Sequence, residues 1–393
     1  MPKTQNVMGL LQRLQSDDIT VHQSRCVAVR NRNATCMRCA EVCTTGCISY
    51  RNNELTVAPE RCIGCGTCAT ACPTCALEAH NPTDAELTRA CMRALREADG
   101  QAVIACERML QAAEGLYDPE KVVGVTCLGR VEESLIVTLA ASGARRIRLV
   151  EGGCEGCEYA SGREMAQRVC ETANTLLEVW DCDARVGVSG KLPSLVRKRD
   201  KGYDADKRLA FMATGQGAKS AAAEAADYTV RDTLDIEEPP EPRLNKVDES
   251  GVLPQFVPDR RAVLRSALER LGQPRDDMIE TRLWGHVVIE PDACNSCQMC
   301  ATFCPTGALR RYRDEDGSPG IAHAPADCVK CHCCEDICMK DALWISDEVF
   351  AVDLLEDVVE RFEMEETILN SEKPNKMFAS VKSLVGGDQV YER

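Results

Sequence analysis

Between Cys294 and Cys338 one spacing occurs twice: Cys294, Cys297, Cys300 and Cys304, then Cys328, Cys331, Cys334 and Cys338, each run reading C-x2-C-x2-C-x3-C. Three closely spaced thiols on a tight loop converge on one point, as a metal centre requires. The 393 residues include 26 cysteines against 6 Phe, 7 Tyr and 3 Trp, so thiol ligation must supply cohesion that aromatic packing usually gives. Disulfides fit poorly. The N-terminal MPKTQNVMGLLQRLQSDD carries one Lys and no apolar core, is expected not to be a secretory signal, and so points to reducing, cytoplasmic surroundings. The longest mainly apolar stretch, around Leu135 to Ala141, is far short of the ~20 residues that span a bilayer, so no direct membrane insertion is expected. With 47 basic against 62 acidic residues and a net charge of −15, nucleic acid is not the expected partner.

The cysteines fall into three groups, Cys26 to Cys75, Cys91 to Cys182 and Cys294 to Cys338, and the interval from Cys182 to Cys294 has none. That interval holds a basic stretch (LVRKRDKGYDADKR), an Ala-rich stretch and the acidic, Pro-rich DIEEPPEPR, which read as helix followed by exposed linker. After Cys338, apolar residues at helical spacing run through EVFAVDLLEDVVERFEMEETI. Asp347 to Glu372 carries ten acidic residues against one basic, so a solvated acidic helix is expected there.

The first cysteine group is a degenerate copy of the third. Its second half is plain: Cys62, Cys65, Cys68 and Cys72, followed by Pro73 and the ending CPTCAL, against CPTGAL after Cys304. Aligning CTTGCI with that ending puts Cys43 in the fourth position, Cys39 and Cys36 in the third and second, and upstream Cys26 in the first, across an expanded loop. Both modules resemble bacterial two-cluster ferredoxins over roughly sixty residues each. In that family the fourth cysteine of each motif ligates the other cluster. The resemblance therefore implies four [4Fe-4S] clusters, held by Cys26, Cys36, Cys39 and Cys72; by Cys62, Cys65, Cys68 and Cys43; by Cys294, Cys297, Cys300 and Cys338; and by Cys328, Cys331, Cys334 and Cys304. Cys47 in place of Cys26 is the other reading of the first set. Cys333 is spare, and Cys47 and Cys75 otherwise read as packed thiols. Paired C-x2-C motifs also serve zinc, but the long repeats and their CPTGAL ending favour iron. ISYRNNELTV reads as a hairpin about Asn52 and Asn53, and ALRRYRDEDGSPGIAH as a longer one. Arg25, Arg30, Arg32, Arg38, Arg51 and Arg61 surround the first module, a charge that raises a cluster's potential or docks a partner.

In the middle group, Thr83 and Glu86 form a capping box opening a helix that runs to Gly100, with Cys91 on its core face. The β-rich runs AVIAC, KVVGVTC and RIRLVEGGC each end in a cysteine, and the helical VEESLIVTLAASGA separates the last two. In open parallel sheets ligands bind beyond the carboxyl ends of the strands. Cys106, Cys127 and Cys154 meet there, with Cys157 a turn further on, and Arg108, Arg130 and Arg163 follow them as candidates to neutralise an anionic cluster. CLGRVEESLIVTLAASGA and LVEGGCEGCEYASG resemble the iron-sulfur (delta) subunit of methyl-viologen-reducing hydrogenases, over Gln101 to roughly Gly190. That family links a hydrogenase to heterodisulfide reductase, so the resemblance implies a [2Fe-2S] cluster on these cysteines. A cubane, zinc or a bare thiol site are the other readings, with Cys170 and Cys182 as possible substitutes. GQGAKS around Gly215 lacks P-loop spacing.

The expected fold class is multidomain α+β and α/β: two ferredoxin-like modules (25–82 and 283–345) around a small parallel α/β domain (83–190). An N-terminal arm (1–24), a helical or irregular linker (191–282) and an acidic helical tail (346–393) complete it. The expected function is electron relay with no substrate site, in a cytoplasmic anaerobic oxidoreductase complex whose other redox subunits are the partners: hydrogenase, formate dehydrogenase, heterodisulfide-reductase-like or molybdo/tungsto-enzyme. A disulfide or heterodisulfide reductase using the middle cysteines is the alternative, and an iron-sulfur sensor a third reading.

Overall fold

A computed structural model describes residues 18–198, 252–275 and 277–364; the Ala-rich stretch, GQGAKS and DIEEPPEPR lie outside them, as do most of the N-terminal arm and the tail beyond 364. In the N-terminal module, strand β1 (Ile19–Val21) leads to two short helices, α1 (Val27–Arg30) and α2 (Arg38–Glu41). The hairpin β2 (Ile48–Arg51) and β3 (Glu54–Val57) follows. It turns where expected: Asn52 and Asn53 take φ of 52° and 61°, the left-handed pair that a two-residue hairpin turn requires and Asn tolerates. Helix α3 (Thr67–Ala71) and strand β4 (Leu77–Ala79) close the module, with Leu77 opposite Val21 on β1. Ile19, Leu55 and Leu77 are buried among Cys26, Cys39 and Cys68.

The middle domain opens on the capping box. Thr83 Oγ1 accepts from the Glu86 N–H at 3.3 Å, while the Glu86 carboxylate accepts from the Thr83 N–H at 3.0 Å, fixing the start of α4 (Asp84–Glu97). Cys91 lies in the core of this helix, as its spacing predicts. Then come β5 (Gln101–Cys106), α5 (Glu107–Ala112), β6 (Val123–Val125), α6 (Glu133–Ala141), β7 (Arg146–Val150), α7 (Ser161–Val179) and β8 (Arg185–Ser189). The four strands form one parallel sheet of order β6-β5-β7-β8, so β5 lies between β6 and β7 and the three cysteine-bearing ends are neighbours. Strand β8 extends the sheet beyond the three runs legible in the sequence.

Helix α6 is buried almost all round because it is covered twice. Leu135, Ile136 and Leu139 face the sheet core, while Val137 packs with Leu264, Ala267 and Leu268 of α8 (Asp259–Leu271). The described end of the interval read as linker is therefore a structural element. Its core also takes in Trp284, Val349 and Leu354 of the C-terminal module. Arg260 of α8 grips Asp84, Nε to Oδ2 at 2.6 Å and Nη2 to Oδ1 at 2.9 Å, and donates to the Ala69 carbonyl of α3; Arg130 adds a third bond to Asp84 at 2.6 Å. Burial pushes the Asp84 carboxyl up, but the two guanidiniums outweigh it and hold it at about 2. Asp84→Asn is expected to cost about 2–3 kcal/mol at pH 7, less than the roughly 3–5 of a fully buried pair because Asp84 is 44 % exposed. Since its pKa is depressed on folding, the contribution is present above about pH 4 and lost as pH falls toward 2. Urea midpoints for wild type and variant, read from Trp180 and Trp284 fluorescence, check this; equal midpoints at pH 7 would refute it.

The C-terminal module repeats the first. After β9 (Met278–Glu280), strand β10 (His286–Ile289) leads to α9 (Met299–Phe303), the hairpin β11 (Leu309–Arg313) and β12 (Pro319–His323), α10 (Cys333–Ile337) and β13 (Leu343–Ser346). Strand β13 returns antiparallel to β10, as β4 does to β1. The described part of the segment read as an acidic helix holds two strands and one short 3-10 turn (Val352–Leu354): β14 (Glu348–Phe350) pairs with β9, and β15 (Glu360–Glu363) adds to the free edge of β12. Val349 and Ala351 are buried on either side of exposed Phe350, a period of two that the longer helical pattern masks. All the described residues up to 197 and from 252 onward belong to one compact unit.

Candidate iron-sulfur centres

Backbone conformation shapes the cysteine loops. On either side of each second cysteine the chain turns left-handed: Gly64 and Gly66 flank Cys65, Ser296 and Gln298 flank Cys297, and Lys330 and His332 flank Cys331, with φ between 51° and 72°. The expanded loop before Cys36 has no such pair. Helices α3, α9 and α10 begin directly after these turns, and α2 follows Cys36, so each third cysteine sits in a first helical turn.

Four groups of thiols result. Cys26 is pushed up to about 11, by burial first and then by Cys72 and Cys36, and Cys39 is raised by burial with Cys72, Cys26 and Cys36 adding to it. Cys68 is raised by burial and by Cys65, Cys39, Cys62 and Cys43. Cys294, Cys297, Cys300 and Cys338 line one small cavity together with Met364. Cys334 is raised by burial and by Cys331, Cys328, Cys304 and Cys300. In each group the fourth cysteine of one motif neighbours the first three of another. Cys47 sits elsewhere than Cys26, its Sγ 3.4 Å from Cys43 Sγ and hydrogen-bonded to Cys62. Cys333 is buried, with Sγ on the Phe303 carbonyl at 3.6 Å.

The fourth cysteines share a polar setting the sequence reading missed. Backbone N–H groups of Ala76, Leu309 and Ala342 donate to Cys72, Cys304 and Cys338 Sγ at 3.2, 3.5 and 3.3 Å. Hydroxyls of Thr45, Thr74 and Thr306, each two residues after a fourth cysteine, lie 3.5, 3.6 and 3.8 Å from the sulfurs of Cys43, Cys72 and Cys304. The recurring Thr in CTT, CPT and CPT was the available signal. Such donors favour the more negative form of a thiolate-bound cluster.

At the sheet's carboxyl edge, Cys106, Cys127, Cys154 and Cys157 line one cavity with Arg108, Arg163 and Tyr159. Cys106 ends β5 and accepts from the Gly152 N–H at 3.2 Å. Cys127 is pushed up to about 12 by burial, with Cys65, Cys154 and Cys106 adding. A Cβ on Gly162 would run into Cys127 Sγ, so only Gly fits there. Arg163 reaches Glu151 at 3.2 Å, and that carboxylate also accepts from Cys154 Sγ at 3.4 Å. Arg130, expected beside this cluster, does not line the cavity. Only 2 % exposed, it turns from the cavity to Asp84 and the Pro82 carbonyl, because its stem packs over Gly66 of the ferredoxin loop. Cys170 and Cys182 belong to the hydrophobic core or pack against it.

The groups also adjoin one another. Cys65 helps to raise Cys127 across the first domain seam, and Cys39 helps to raise Cys68. Val27 and Cys36 pack with Cys331 and Cys333, while Arg30, buried, donates to the carbonyls of Phe303 and Cys304 at 3.2 Å. Cys300 neighbours Cys334.

Known families match two of the four cysteine loops and the sheet edge. The 4Fe-4S binding domain family matches residues 55–78 and 287–310, and the methyl-viologen-reducing hydrogenase, delta subunit family matches 104–190. The chain carries two 4Fe-4S binding domains flanking a hydrogenase delta-subunit domain. The first pair of matches takes in Cys62 to Cys72 and Cys294 to Cys304; the delta-subunit domain takes in all four cysteines of the sheet edge. No curated protein and no solved structure was found to match the chain. Together the domains support an iron-sulfur electron-transfer role in a hydrogenase-like complex. No helix among the described residues is long and apolar enough to cross a membrane.

Proposed function

We infer that the chain is a fixed relay of five iron-sulfur centres, working in a cytoplasmic anaerobic oxidoreductase complex alongside other redox subunits. The observation that carries this reading is the succession of thiol groups, each adjoining the next: the sheet-edge cysteines, then Cys43 with Cys62, Cys65 and Cys68, then Cys26 with Cys36, Cys39 and Cys72. Cys304 with Cys328, Cys331 and Cys334 follows, and Cys294 with Cys297, Cys300 and Cys338 comes last. The donor sets fit. Burial raises Cys26, Cys68, Cys300, Cys334 and Cys127, one in each set, so these thiols become stable thiolates only against a cation, and four converging sulfurs match a cubane.

When bound, the four [4Fe-4S] clusters and one [2Fe-2S] cluster supply one-electron storage at each set. The chain's own residues bury the sulfurs, donate N–H and hydroxyl hydrogen bonds to the fourth cysteines, and set Arg30 at the junction of the two modules. Arg108 and Arg163 border the sheet-edge set. Reconstituted protein is expected to hold about 18 irons, sixteen of them in cubanes. A content near eight, with only the two family-matched motifs loaded, would sink the five-centre relay. Disulfide-dependent turnover by the isolated chain would favour the reductase alternative instead.

A further inference from the structure

The C-terminal module carries a second kind of site, built without cysteine. His286 opens β10, His323 ends β12 and Glu360 opens β15, where it stands directly across the sheet from His323. His286 Nε2 lies 2.6 Å and His323 Nδ1 3.7 Å from the same carboxylate oxygen, Oε2 of Glu360. One ligand atom from each residue falls within 4.8 Å of the others, and the two imidazole rings are 5.7 Å apart. His323 is 0 % exposed, yet its Nδ1 has only the long 3.7 Å contact to Glu360 and its Nε2 has no hydrogen-bond partner. A buried polar group without a partner is rare and calls for one. A plain His286–Glu360 hydrogen bond accounts for two of the three side chains and leaves His323 unexplained.

We propose that His286, His323 and Glu360 bind a zinc ion. Two imidazoles and a carboxylate are borderline ligands that zinc takes readily and, among the common biological divalent ions, more tightly than iron or manganese. Zinc bonds of about 2.0–2.2 Å to N and O put tetrahedral ligands about 3.3 Å apart. The observed 2.6 and 3.7 Å bracket that separation. His286 and Glu360 are each about a third exposed, so the site opens to solvent, which supplies the fourth ligand and an entry path. The ion would clamp β15 to β10 and β12. That strand leads to Phe362 and Met364, which pack against the core around Cys294 and Cys338. The site thus ties down the chain that covers the last thiol set.

The test is elemental analysis and zinc K-edge absorption on the full-length, cluster-loaded protein after incubation with zinc chloride and desalting. The expected result is one zinc per chain with only nitrogen and oxygen in its first shell. His286→Ala and the isosteric Glu360→Gln should each bring zinc below about a tenth of an equivalent with iron unchanged. Three results would overturn the proposal: wild-type zinc below a tenth of an equivalent, sulfur in the first shell, or zinc undiminished in both variants.

Discussion

Replacing Cys304 with Ala is expected to cost the chain about four irons while leaving the centre of Cys294, Cys297 and Cys300 in place. Sequence order alone would join Cys304 to the three cysteines it follows, whereas the ferredoxin resemblance assigns it to the other set. In the folded chain its sulfur neighbours Cys328, Cys331 and Cys334, and Cys338 completes the other cavity. Three thiolates hold a cubane poorly, and the vacated corner is buried, so no water-borne ligand replaces the fourth easily. Cys294→Ala serves as the control, with loss from the opposite set. Iron counts and low-temperature spectra of the reduced proteins check both. If Cys304→Ala and Cys294→Ala abolish the same signal, the crossed arrangement is wrong.

Replacing Cys127 and Cys154 together with Ala is expected to remove about two irons and retain every cubane signal. Both thiols line the sheet-edge cavity, and the two remaining, Cys106 and Cys157, cannot hold a binuclear centre alone. Loss of about four irons would make the centre a cubane. No loss would make it a thiol site, and the relay would then begin at Cys65 and its partners.

Legibility differed by the range of the forces involved. The Asn52–Asn53 hairpin, the Thr83–Glu86 capping box and the convergence of strand-end cysteines were readable because each depends on a few adjacent residues or on a general rule of parallel sheets. The direction of Arg130 is not legible in its motif because Asp84 and Gly66, distant in sequence, decide it. The segment after Ser346 reads as helix because Leu354, Val358 and Phe362 recur every four residues, a spacing that suits both periods, and the free edges of β9 and β12 settle the matter. His286, His323 and Glu360 carried no signal at all: nothing in their spacing shows that three strands bring them together.

The left-handed turns of the ferredoxin loops form an internal experiment. The position after the second cysteine holds Gln298 and His332 in one module and Gly66 in the other, at nearly the same φ. The turn therefore tolerates a side chain. What forbids one at residue 66 is Arg130, whose Cδ occupies the space a Cβ would need. A neighbouring domain has written its outline into a loop whose counterparts in this same chain carry Gln and His, so the seam between modules can be felt in the sequence one atom deep.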